Sequence, residues 1–147
     1  MNYIKRSNTG VEIGINKNIV QMDIGLVKYI NDLCIEYGST LEGRIKSFKK
    51  NYGILNNTPI LVNNQIALIP LKSIRKFDSV LINYFEVFRI EKMEGNVLVY
   101  YHDNTTLEVD ISFTLLTKKM KLIEDILFNI KYKTLSTKKK VFTLPLY

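Results

Sequence analysis

The chain has 147 residues, 46% of them apolar, which is the size of one domain with enough apolar surface for a core and excludes an intrinsically disordered chain. A single cysteine (Cys34), a single histidine (His102) and no apolar run of roughly eighteen residues exclude a disulfide framework, an ordinary zinc site and a membrane-spanning helix. Net charge is +7, from 21 Lys+Arg against 14 Asp+Glu, and favours a polyanionic partner such as nucleic acid or an anionic membrane, of which nucleic acid and no membrane is expected.

In chain order, "MNYIKRSNTG" lacks the apolar core of a secretory signal, and the lone cysteine fits a reducing cytoplasm, where the protein is expected. "VEIGI" (11–15) and "NIVQM" (18–22) read as a short strand pair across Asn16 and Lys17, with Val11, Ile13 and Ile15 on one face. "GLVKYINDLCIEYG" carries both a helical stripe and β-branched residues; extended or mixed structure is expected there. Residues 39–52 read as a helix. Ser39 with Glu42 makes a capping-box pattern, and Leu41, Ile45, Phe48 and Tyr52 form one apolar stripe. Gly53 stands where a C-terminal cap is wanted.

"TPILVNNQIALIP" (58–70) predicts a hairpin with a tight turn at Asn63-Asn64, and "LKSIRKFDS" (71–79) a basic connection. "VLINYFEVFRIEKM" (80–93) reads as one long strand. It turns at Glu94-Gly95-Asn96 into "VLVYYH", and again at Asp103-Asn104 into "TTLEVDI". The period then changes. Phe113, Leu116, Met120, Ile123, Leu127 and Ile130 predict a helix near residues 112–133, capped by Ser112, with 134–147 as a basic tail. The predicted class is α+β: one domain over 1–147, an antiparallel meander of five or more strands, a basic helix near 39–52 and a long C-terminal helix.

The basic residues cluster. Arg44, Lys46, Lys49 and Lys50 fall on one predicted helix, and Lys72, Arg75 and Lys76 on one connection. Such clusters release counterions on meeting phosphates. The helix N-terminus at Ser39 and Thr40 offers backbone N–H groups to a phosphate, and Arg44 or Arg75 suits the narrow minor groove of an A-tract. Each feature has a structural alternative: lysines that only keep a helix soluble, and an Arg44 paired with Glu36 or Asp32. Cys34 is expected to pack as a small apolar group. Tyr84, Phe85, Phe88, Tyr100 and Tyr101 are expected to pack within strands rather than stack on bases. No Walker A or Gly-x-Gly-x-x-Gly motif occurs, nothing brings Cys34 to His102, and no enzymatic activity, metal or cofactor is expected.

"CIEYGSTLEGR" (34–44) resembles the competence transcription factor family, ComK. That family carries a cysteine, three residues, Gly-Ser-Ser/Thr, two residues and Gly-Arg, matched here by Cys34, Gly38, Ser39, Thr40, Gly43 and Arg44. Pro59, Ile60 and Pro70 match the following family hairpin, while the family's Cys-x-Trp pair is missing, since the chain has no tryptophan. The resemblance implies a DNA-binding activator of DNA-uptake genes that recognises A/T-rich boxes in double-stranded DNA as a homo-oligomer. It also implies control through an adaptor protein. The alternative is a protein-interaction module on the same fold that has lost DNA binding.

Overall fold

The computed structural model describes residues 1–53 and 56–143, with side chains as far as Lys131. Among the described residues nine strands and three α-helices follow one another: β1 (Tyr3–Arg6), β2 (Val11–Ile15), β3 (Asn18–Met22), α1 (Leu26–Glu36), α2 (Leu41–Tyr52), β4 (Ile60–Leu61), β5 (Ala67–Pro70), β6 (Val80–Asn83), β7 (Val87–Lys92), β8 (Val97–Tyr101), β9 (Thr106–Val109) and α3 (Phe113–Thr143). The α+β class stands, but the strands divide into two antiparallel sheets. Six strands are ordered β3-β2-β1-β6-β5-β4, and three form the meander β7-β8-β9.

The six-stranded sheet is covered on both faces. Alternate residues of its central strands therefore enter different cores. Ile4, Leu68 and Leu81 meet Leu26, Ile30 and Cys34 of α1 and Leu41 of α2. Tyr3, Ile69 and Ile82 face the other way, toward Val97, Val99 and Tyr101 of the meander and Leu116 and Ile123 of α3. Each fully buried Leu or Ile contributes about 1.5–3 kcal/mol by leaving water.

Several expectations are corrected. Residues 26–36 form a helix, because Leu26, Ile30 and Cys34 recur every fourth position and all three are buried against the sheet. Tyr3–Arg6 is a central strand that the sequence did not announce. The expected long strand over 80–93 is broken at Asn83. Its Oδ1 accepts the N–H groups of Ala67 (3.1 Å) and Phe85 (3.3 Å), and its Nδ2 donates to Met1 O (2.9 Å) and Gln65 O (3.1 Å). A short 3-10 turn over Tyr84–Glu86 follows and carries the chain from the first sheet to the second.

The Asn63-Asn64 pair makes no tight left-handed turn. Asn63 Oδ1 instead takes the Gln65 N–H at 2.8 Å, and the Val62 and Asn63 N–H groups both donate to Ile66 O. The left-handed pair falls at Asn16 and Lys17, with φ of 50° and 67°, in the two-residue turn between β2 and β3. The turns at Gly95 and Asn104 and the Ser112 cap form as the sequence suggested; Ser112 Oγ accepts the Leu115 N–H at 3.2 Å. The backbone of α3 continues to Thr143, through most of the expected tail. Near the end of its described side chains, Ile130 meets Phe48 and Tyr52 of α2 across a common cleft.

Candidate nucleic-acid interface

The joint between α1 and α2 explains much of the Gly38-to-Arg44 pattern structurally. Gly38 turns the chain with φ of 103°, a conformation that suits only glycine well. Thr40, not Ser39, is the N-cap: its Oγ1 accepts the Gly43 N–H at 2.9 Å. Glu42 does not close a capping box but pairs with Lys46 at 3.3 Å, both exposed. A Cβ at position 43 would lie 3.0 Å from Ser39 Oγ and 3.1 Å from Thr40 Oγ1, so glycine leaves the cap its room. Asn31 Oδ1 takes the Leu41 N–H at 2.9 Å, and Thr40 O the Arg44 N–H at 3.0 Å. At the helix N-terminus where a phosphate cradle was expected, the Leu41, Gly43 and Arg44 N–H groups are thus engaged from within the fold.

Arg44 is corrected on both counts. Its guanidinium donates to Leu61 O (2.9 Å), Cys34 O (3.1 Å) and Tyr37 O (2.8 Å), and forms no ion pair with Glu36 or Asp32. Asp32 is held by Lys28 at 2.9 Å. Two carbonyls at the end of α1 lie within reach of the guanidinium: Cys34 O, which also accepts the Tyr37 N–H at 3.0 Å, and Tyr37 O, past the last helical turn. A planar cationic fork satisfies them and ties α1, α2 and β4 together.

The remaining cations sort by what holds them. Lys72 lies between Asp78 (2.5 Å) and Asp110 (3.2 Å) and is 29% exposed. These hydrogen bonds raise the Lys72 ammonium above its ordinary value, and the bond from Lys72 lowers the Asp78 carboxyl. Lys49, Lys50, Arg75 and Lys76 are exposed and form no ion pair with a described residue. Lys49 on α2 and Arg75 on the β5–β6 connection line one cleft of about 290 Å³, together with Ile45, Asn57, Ser73 and Ile74. The two basic segments therefore meet.

A residue that sequence reasoning passed over fixes the connection. Arg6 of β1 donates from Nε to Lys76 O (2.9 Å) and from an Nη to Ile74 O (2.5 Å). Lys76 N–H reaches Ser73 O, and Ser79 N–H reaches Lys76 O. The basic connection is a braced loop. Nothing in "YIKR" announces this, because the bond spans most of the sheet's sequence.

Among the described residues Cys34 and His102 are not brought together. Cys34 is buried in the helix-side core; burial pushes its thiol up, with the nearby Arg44 charge opposing. His102 is exposed at the β8–β9 turn, edge-on to Phe88 at 5.6 Å. Among the described residues no group of three His, Cys, Asp or Glu side chains is placed to hold a metal ion, and no helix is long and apolar enough to cross a membrane. Of the meander aromatics, Tyr101 is buried and Tyr84 and Phe85 pack against the core. Tyr100 carries the Arg89 guanidinium over its ring at 3.7 Å.

No curated protein and no solved structure matches the chain. The family described as ComK protein matches residues 3–134, which include β1, the α1–α2 joint, both sheets and the packed part of α3, and the chain belongs to that family.

Proposed function

We propose that the chain is a DNA-binding transcriptional regulator of the competence type, acting on A/T-rich double-stranded DNA. The observation that carries this reading is the meeting of Lys49 and Arg75 in one cleft, with Lys50 and Lys76 next to them in sequence and none of the four in an ion pair with a described residue. Exposed, unpaired cations on adjoining segments can each neutralise a phosphate. With Arg44 committed to carbonyls, Arg6 to the loop backbone and Arg89 to Glu91 and the Tyr100 ring, Arg75 is the arginine available to enter a narrow A-tract minor groove. Family membership supports transcription control, a homo-oligomer and an adaptor partner. The regulator works in the cytoplasm without a cofactor.

A duplex with spaced A and T boxes, titrated beside a G/C-rich duplex at two salt concentrations, tests the reading. The A/T duplex should bind more tightly, and log K should fall with log salt at a slope of about −3 to −4 if four cations meet phosphates. A second reading, a protein-interaction module, draws on Ile19, Val20 and Met22, which stand exposed on the edge strand β3. Absence of binding to either duplex at low salt would favour it.

A further inference from the structure

We propose that Phe77 is a wedge that enters between base steps of the bound A/T-rich duplex. The proposal rests on the DNA-binding reading above and supplies its mode of engagement. Phe77 is 86% exposed, the highest value for any large apolar side chain among the described residues. Single exposed apolar residues are ordinary on protein surfaces, so the surroundings decide the case.

The loop around Phe77 is held on both sides. Lys76 O accepts from Arg6 Nε and from the Ser79 N–H, and the Asp78 carboxylate is bound to Lys72. Ser79 is buried, and its N–H closes the turn over Phe77 itself. A loose loop would fold such a ring back onto the protein. This one presents the ring to solvent without a described aromatic partner, unlike Phe88, which rests edge-on against His102.

The ring also follows directly on Arg75 and Lys76, the unpaired cations of the interface. An apolar side chain projecting from a rigid cationic loop is the arrangement with which minor-groove proteins part a base step, while the cations hold the flanking phosphates. A-tracts are stiff, whereas pyrimidine–purine steps such as TA unstack most readily, so the cost of insertion is lowest, and the wedge is expected, at a TA step beside the A-tract that Arg75 enters. Exchange of water for base faces around the ring would offset the rest.

The test places 2-aminopurine, whose emission rises when it unstacks, at successive adenines of the A/T duplex. The unaltered chain should raise the emission at one step for each bound protomer and leave the other positions unchanged. Phe77→Ala should abolish that rise and weaken binding by roughly ten- to hundredfold, as expected for a lost ring–base contact. Its salt dependence should stay steep, because the cations remain. Phe77→Leu, which keeps an apolar wedge, should retain part of the rise. Both variants should melt with the unaltered chain, since the ring touches little of the fold.

Phe77→Ala that binds with full affinity, or that keeps the emission rise, overturns the wedge alone. Tight binding by the unaltered chain with no rise at any position does the same, as does a preference for the single strand. Failure of the unaltered chain to bind either duplex at low salt overturns the DNA reading, and the wedge with it.

Discussion

The Arg44 guanidinium donates to the Leu61 carbonyl at 2.9 Å and so joins α2 to β4, while its other nitrogen holds the end of α1. A hydrogen bond to a charged group contributes about 1.5–3 kcal/mol, and removing it strands its partners. Arg44→Ala leaves three carbonyls without this donor and should lower stability by roughly 3 kcal/mol or more, read as a drop in the urea midpoint. Arg44→Lys, with one ammonium in place of a fork, should recover only part of the loss. A variant of full stability that lost only its A/T preference would return Arg44 to the DNA face.

A second close approach involves Gly14 and Tyr3. A Cβ added at Gly14 would stand 2.3 Å from Cε1 of the Tyr3 ring. That ring cannot step aside easily, since it is buried, packs on Tyr101 at 6.4 Å between centroids and bonds Glu12 at 2.9 Å. Gly14→Ala should therefore cost about 1–3 kcal/mol, the usual penalty of overpacking. Tyr3→Phe combined with it should not rescue the fold, because the clash is with the ring itself. An unchanged thermal midpoint for Gly14→Ala would show that the sheet yields there.

What was legible in the sequence was local. The stripe Leu41, Ile45, Phe48 and Tyr52 gave α2, the alternation in "VEIGI" gave β2, and Gly95 and Asn104 marked the turns of the meander. What stayed hidden depends on distant partners. Helix α1 has only three fully buried positions, no acidic first turn and no side-chain cap, so its period was weak against its β-branched residues. The break at Asn83 follows from a side chain that serves Met1, Gln65, Ala67 and Phe85 at once, a set no window of sequence contains. The basic clusters were visible as charge, but which cations were already engaged was not. Arg44 and Arg75 look alike in sequence; one is fixed to three carbonyls and the other lines an open cleft.

The division between engaged and free cations can be measured directly. Lys49→Gln with Arg75→Gln should reduce the salt slope of duplex binding by about 1.8, since each cation contributes roughly 0.9. The unfolding midpoint should stay where it is, because neither side chain forms an ion pair with a described residue. Arg75→Lys separates charge from shape. It should keep the slope while narrowing the ratio of A/T to G/C affinity, if the flat guanidinium is what fits the groove. An unchanged slope in the double variant would place the DNA contacts elsewhere.

Asp103 makes a prediction about acid. Its carboxyl is held at about 2, below the ordinary 3.8: partial burial pushes it up, and this is outweighed by hydrogen bonds from the Thr105 hydroxyl, the Asn2 amide, and the Thr105 and Lys17 N–H groups. The unfolded chain therefore binds this proton more readily than the folded one. The stabilisation is complete above about pH 4 and is lost as pH falls through the folded value near 2. Because the carboxyl is only partly buried, screening keeps the effect modest. Asp103→Asn turns an NH₂ toward two donors, Asn2 Nδ2 and the Lys17 N–H, or toward the two groups of Thr105. It should cost roughly 1 kcal/mol at neutral pH through lost acceptor bonds. Urea midpoints at neutral pH, pH 4 and pH 2.5 check both parts. The gap between the unaltered chain and the variant should be full at the first two and shrink at the third, and a gap that stays constant would show that Asp103 is not the group that titrates.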